Sequence, residues 1–305
     1  MALKGTVSAM LAAVGVMSGA QALAAGSLPD SITMKTAGFI PEGVEYDTKN
    51  KRFLVGSIAQ GKVFVVAPDG ALTPFISDAD IKSSVGLEVD EERNRLLVAV
   101  SDRSQPAGAA KLGVYDLRTG KRIALVDLAA AGPAEAKEHF ANDLAVGPDG
   151  STYITDTRAR VIYKVTSQNA ASVFVALSGA ERLNGIVVHP KGYLLVGESG
   201  AGDVYKVPLD KPGSFSKVTL PEPVLGVDGM LWHPDDRLIV VRNDKSQTVV
   251  SLKSSDDWAS ATVDSKGTSS TQQTTAALAD GGVYVVHPFF NDAAAMPSLE
   301  RVTLK

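Results

Sequence analysis

No cysteine occurs in the 305 residues, so no disulfide can brace the chain and no thiolate can act as nucleophile or soft-metal ligand. Histidine is almost as scarce, with four residues that do not cluster, which argues against a soft or borderline metal site. Charge of one sign is lacking too. The formal net charge is -4, and the basic residues are scattered rather than gathered into runs, so the sequence carries no electrostatic footprint for nucleic acid or an anionic membrane. Small molecules are the expected partners. There is no phosphate-binding glycine-rich loop, no His-Glu-x-x-His helix and no Gly-x-Ser-x-Gly elbow. Beyond the N-terminal stretch no segment has the roughly 18 consecutive apolar residues of a membrane span.

What is present begins with an export signature. Lys4 supplies a positive end, Val7 to Val16 an apolar stretch and Ala22-Leu23-Ala24 a small-residue cleavage site. Residues 1–25 are therefore expected to be a signal peptide and residues 26–305 a single mature domain, periplasmic or secreted. The 28 glycines and the 21% of charged residues suit many short strands joined by tight turns.

A phrase then recurs along the mature chain: a small or polar residue, an apolar strand, a turn around Asp, Pro or Gly, and a second apolar strand. Copies start at Gly43, Gly86, Asp143, Gly185, Gly229 and, least clearly, Thr274. The starts lie about 40 to 57 residues apart, the length of a four-stranded propeller blade. A third strand follows each copy, such as Val161-Ile-Tyr-Lys-Val165, and a fourth follows several. The last copy lacks its outer strand, which Ser31-Ile-Thr-Met-Lys-Thr36 can supply from the other end of the chain. The expected fold is an all-β, six-bladed β-propeller with four-stranded blades, its ring closed so that few strand edges stay open.

Aligning the copies on their turns puts Glu42, Val85, Asn142, Asn184, Asp228 and, approximately, Gln273 in one column opening the innermost strands. In a propeller such positions converge on the central channel. A single Asn or Asp at a strand start often serves only a turn. Two carboxylates and two amides converging on one point, with water to complete the shell, form instead an oxygen donor set for a hard cation. Glu42, Asn142, Asn184 and Asp228 are the expected metal ligands for one divalent cation. Calcium comes first, with Zn2+, Mg2+ and Mn2+ also open.

At Pro41-Glu42-Gly43, Ala141-Asn142-Asp143, Leu183-Asn184-Gly185-Ile186 and Val227-Asp228-Gly229-Met230 the chain resembles the SMP-30/gluconolactonase/LRE-like family of propeller lactonases and organophosphatases. The resemblance runs as repeats over the mature chain, and its specific parts are these short motifs. It implies a catalytic divalent cation held by Glu42, Asn142, Asn184 and Asp228, and a hydrolase that opens a lactone or related ester. Leu144 stands where that family usually has glycine after Asn-Asp. This form is also similar to propellers without established hydrolytic activity, and the arginine and asparagine cluster of a sugar-lactone pocket is not found.

A cation on one face of a propeller can polarise a carbonyl and stabilise the oxyanion formed when water attacks an ester. Asp228 is the expected general base or nucleophile, with Glu42 in reserve. Loops joining second and third strands should share that face. From them Glu198, Arg242 and Asn243 are candidates for substrate contact, as is His139 just ahead of Asn142. His287, beside Phe289 and Phe290, is a second catalytic candidate able to shuttle a proton near neutral pH. Two other readings stay open: a non-catalytic propeller that binds a ligand or protein and keeps a structural cation, and a metal-free propeller similar to strictosidine synthase.

Overall fold

Short β-branched and aromatic runs separated by turn residues become strands throughout. The computed structural model describes residues 27–305; the signal-peptide expectation falls on residues 1–25, outside the described residues. The strands are β1 (Ser31–Thr33), β2 (Pro41–Asp47), β3 (Arg52–Ser57), β4 (Lys62–Val66), β5 (Leu72–Ser77), β6 (Ser83–Asp90), β7 (Arg95–Ser101), β8 (Gly108–Asp116) and β9 (Arg122–Asp127). There follow β10 (His139–Val146), β11 (Thr152–Asp156), β12 (Val161–Val165), β13 (Ala171–Ala176), β14 (Leu183–His189), β15 (Tyr193–Glu198), β16 (Val204–Pro208) and β17 (Ser216–Lys217). The remainder are β18 (Val227–His233), β19 (Arg237–Arg242), β20 (Thr248–Lys253), β21 (Thr262–Thr268), β22 (Ala276–Ala279), β23 (Gly282–His287) and β24 (Ser298–Val302). Helix is limited, among the described residues, to two single 3-10 turns at Ala129–Ala131 and Pro212–Ser214.

The all-β propeller is present, but the expectation of six separate four-stranded blades is corrected. Four sheets are four-stranded blades: β2 to β5, β14 to β17, β18 to β21, and β22 to β24 completed by β1. The other eight strands, β6 to β13, form one continuous sheet. The join is a parallel pairing of β8 with β10, His139 opposite Gly108 and Phe140 opposite Ala109. Gly108 makes it possible. Its φ is +67°, and a Cβ there would lie 2.2 Å from the His139 carbonyl oxygen, so only glycine lets the two backbones meet at this place. In the polar stretch from Ser265 to Thr275, residues 265–268 form the end of β21 and residues 269–275 are a connection without strand.

The N-terminal segment does close the last blade. Ser31, Ile32 and Thr33 of β1 pair antiparallel with Glu300, Leu299 and Ser298 of β24. Ile32 and Met34 then share a core with Phe39, Phe53, Tyr284 and Leu299, so residues from both ends of the chain bury against one another. Further cores lie between neighbouring sheets, each built from the apolar faces of two blades. His189, in a His-Pro turn, is buried and stacks on Tyr193 with ring centroids 4.2 Å apart, and Trp232 meets it edge-on. Both act as packing.

The strands nearest the channel are β2, β6, β10, β14, β18 and β22, each in contact with the next around a closed circle. Five of them carry a register shift near their start, between Pro41 and Val44, Ser84 and Leu87, Ala141 and Leu144, Leu183 and Ile186, and Val227 and Met230. Each shift is a β-bulge of two residues, a device that bends a strand and re-aims a side chain.

Candidate functional site

The first bulge residue of each strand is the member of the column: Glu42, Val85, Asn142, Asn184 and Asp228. The second is glycine in four of the five, at 43, 86, 185 and 229, because the next strand's backbone lies directly against it. A Cβ on Gly43 would sit 2.3 Å from Val85 O, and one on Gly185 2.3 Å from Asp228 O. Glycine therefore sets the spacing of the column. Asp143 fills the corresponding place in β10. In the sixth strand the register of β22, with Ala276 opposite Val285, assigns the column position to Thr274 rather than Gln273. The Thr274 hydroxyl donates to Glu42 O at 2.8 Å and closes the circle.

Glu42 lies within reach of the Asp228 charge and Asn184 hydrogen-bonds Asp228, and the electrostatics of this part of the column are lopsided. Glu42 and Asp228 are buried, at 8% and 5% exposure. Burial pushes the Glu42 carboxyl well above its usual range, and the charges of Asp228 and Asp143 push it further. Asp228 is raised by burial to about 7, against hydrogen bonds from Asn243 and Asn184 that favour its charged form. Deeper in the channel, around a cavity of about 230 Å3, burial lifts Asp143 to about 7 and Glu88 to about 8, and Glu45 also rises. No cationic side chain is among the causes acting on these five carboxyls. Among the described residues no three His, Asp or Glu are grouped to hold a metal, so a cation at the mouth would rest on the amide oxygens as well as on the two acids. The donor set fits a hard divalent ion, which would relieve the crowding of negative charge.

That crowding gives a pH prediction. A carboxyl whose folded pKa is raised stabilises the fold below its ordinary pKa near 4, and loses that contribution as pH rises through the folded value. For Asp228, Asp143 and Glu88 the loss falls between about pH 4 and 8. With chelator present, Tm is expected to drop by several degrees from pH 5 to pH 8, and added Ca2+ should restore it at pH 8. A Tm independent of pH over this window would show the channel carboxyls to be solvated.

His139 Nδ1 lies 2.9 Å from Asp156 Oδ2, and its ring packs beside Gly132. Asp156 is fully buried and accepts from the backbone N–H groups of Phe140, Arg158 and Ala159. Glu198, at the matching place in β15, accepts from Arg182, Gly200 and Ala201 N–H groups. Each of these acids holds its loop. The Arg242 guanidinium donates to Leu225 O at 2.8 Å and to Asp244 at 2.5 Å. Asn243 does reach the column, where its Nδ2 donates to Asp228 Oδ2 at 2.6 Å. His287 is fully buried, with Nδ1 2.9 Å from Gln272 O and Nε2 3.1 Å from Glu300. Neither nitrogen is left for a proton shuttle, so the catalytic expectation for His287 is corrected to an anchoring one.

Two residues at the column were given no role by the sequence. Thr157 follows β11 at the offset at which Asn243 follows β19, and it accepts from Asn142 Nδ2 at 2.9 Å. The repeat alignment could have found it. Gln272 donates from Nε2 to Asn243 Oδ1 at 2.5 Å; no repeat marks it.

Fold and site together define a β-propeller with an acidic, amide-rimmed mouth. The chain belongs to the SMP-30/Gluconolactonase/LRE-like family, whose model matches residues 40–282. Among solved structures it is similar to the major allergen Mala s 1 of Malassezia sympodialis, with 19% identity, TM-score 0.75, and 91% of this chain and 97% of that one covered. A calcium-binding protein, regucalcin, from Agrobacterium tumefaciens is similar at 16% identity and TM-score 0.64, over 90% and 95% of the two chains. A gluconolactonase from Xanthomonas campestris has 14% identity and TM-score 0.64, over 90% and 89%. No curated protein matches the sequence.

Proposed function

We propose that the protein is an exported, metal-dependent hydrolase that opens a lactone or related ester at the mouth of its channel, with one divalent cation, calcium first, held by Glu42, Asn142, Asn184 and Asp228. The observation that carries this reading is the pair of buried carboxylates, Glu42 raised by burial and by the charges of Asp228 and Asp143, and Asp228 raised by burial, without a basic side chain to balance them. Family membership supports it, as do solved neighbours described as a calcium-binding protein and a gluconolactonase. When bound, the cation would polarise the ester carbonyl and lower the pKa of a water. Asp228 is the base. Its carboxylate, held by Asn243 and Asn184, can take the proton of the attacking water and return it to the departing alkoxide, while the water oxygen bonds to the carbonyl carbon and the ring C–O bond breaks. Export rests on the signal-like residues 1–25.

A second reading is favoured by a different observation. His139, Glu198, Arg242, Asn243 and His287, the candidates for work on a substrate, each hydrogen-bond to groups inside the protein. On that basis the protein is a binding propeller that keeps its cation for stability. The two readings separate on a panel of aldono-, γ- and δ-lactones and aryl esters, assayed before and after EDTA and with Ca2+ restored. Hydrolysis that disappears with chelator and returns with Ca2+ is expected; folded, Ca2+-loaded protein without turnover on any of them would favour the binding propeller.

A further inference from the structure

An asparagine is a cation ligand only through its carbonyl oxygen, and a wrongly rotated amide turns two N–H donors toward the ion instead. The bulges bring Asn142 and Asp228 to the mouth but do not by themselves fix which atoms face the channel. Hydrogen bonds behind them do. The Thr157 hydroxyl donates to Leu183 O at 2.6 Å. Its single proton is thereby used, so toward Asn142 it can act only as acceptor, and it takes Asn142 Nδ2 at 2.9 Å. Oδ1 of Asn142 is then the atom left for the channel. On the other side, Gln272 Nε2 donates to Asn243 Oδ1 at 2.5 Å, which obliges Asn243 to present Nδ2 to Asp228 Oδ2 at 2.6 Å. Asn184 hydrogen-bonds the same carboxylate, so Asn243 sets the position of Oδ2 and with it the plane of the group.

The segment carrying Gln272 is itself held. Its carbonyl lies 2.9 Å from Nδ1 of the buried His287, whose Nε2 lies 3.1 Å from Glu300, and Glu300 accepts from Ser270 N at 3.0 Å. A polar side chain in a loose loop would lose its preferred orientation; this one is tied to β23 and β24.

We propose that Thr157 and Gln272 are positioning residues of the cation site: Thr157 turns the Asn142 amide oxygen inward, and Gln272, through Asn243, aims the Asp228 carboxylate. The inference rests on the proposed cation site and concerns residues that do not touch the ion. Partners of this kind orient ligands, and their loss typically costs about 10–100-fold in metal affinity.

The test is calcium binding by isothermal titration calorimetry, on chelator-stripped protein at pH 7.5, with thermal melts in EDTA as a check on folding. Thr157→Val, which keeps shape but removes the acceptor, and Gln272→Leu are each expected to raise the Ca2+ Kd about 10-fold or more. Thr157→Ser, which keeps the hydroxyl, should stay near wild type. Gln272→Glu separates positioning from charge. A carboxylate at 272 accepts rather than donates, so it would draw Asn243 Nδ2 away from Asp228 and weaken binding more than Gln272→Leu does. If added negative charge were all that mattered, the same variant would bind Ca2+ more tightly. Tighter binding by Gln272→Glu, or Thr157→Val and Gln272→Leu within about twofold of wild type, overturns the inference and leaves the proposed site standing. A folded wild-type protein that binds neither Ca2+ nor another divalent ion overturns both.

Discussion

Replacing Asp228 by Asn is expected to lower kcat/KM for lactone hydrolysis by about 10²–10⁴-fold, the contribution of a positioned general base. The substitution is close to isosteric and sits at a bulge whose backbone it does not disturb. What changes is that a carboxylate oxygen becomes an amide oxygen or an N–H group, neither able to take a proton from water near neutral pH. One of the two acidic donors is also lost, so part of the decrease will come from weaker cation binding. Measuring activity at saturating Ca2+ isolates the part that remains. Glu198→Gln serves as the contrast: Glu198 accepts from three backbone N–H groups and holds a turn, so its replacement should lower Tm while leaving kcat/KM within a few-fold. Retention of wild-type activity by Asp228→Asn would remove Asp228 from the chemistry and leave Glu42 as the base.

Gly185→Val is expected to yield insoluble or largely unfolded protein. A Cβ at 185 would lie 2.3 Å from Asp228 O, 2.6 Å from Met230 Cγ and 2.8 Å from Met230 N. Two of these are backbone atoms and cannot step aside as the end of a side chain could. Relief requires β14 and β18 to separate, which breaks the circle of inner strands and misplaces Asn184 and Asp228 together. Overpacking commonly costs about 1–3 kcal/mol and more where the backbone must shift. Gly213 meets nothing within 4 Å and has no positive φ, so Gly213→Ala should leave Tm almost unchanged. A soluble Gly185→Val protein with native Tm would show that the inner strands are not so closely spaced.

Much of the fold was legible because each blade repeats one phrase of alternating residues around a turn, and because the chain ends offered one unpaired strand apiece. The donor column was legible for a reason not visible in the sequence itself: glycine follows Glu42, Val85, Asn184 and Asp228 because these residues open bulges packed against the next strand. The fusion of β6 to β13 into one sheet was not legible. It depends on Gly108 at positive φ in a stretch without repeat signal, and on parallel pairing of two residues. His287 misled for a related reason. The sequence set the ring beside Phe289 and Phe290, whereas the partner that fixes it is Glu300, brought from β24 by the fold. Likewise, nothing in Asn-Asp-Leu or Thr-Gln-Gln-Thr states which way an amide is turned; that is decided by a hydroxyl whose proton is committed elsewhere.

The blade shared by β1 and β24 bears on how the molecule assembles. Its pairing joins residue 31 to residue 300, so it cannot form until nearly the whole chain is available, and contacts of such sequence separation are slow to form. Until β1 docks, one edge of β24 stands open to strands from other molecules. Glu300 and Arg301 lie in that strand, and charges at an edge discourage such pairing. A pairing that waits for both ends of the chain leaves an open strand edge in the meantime, and Glu300 and Arg301 stand as guards at that strand.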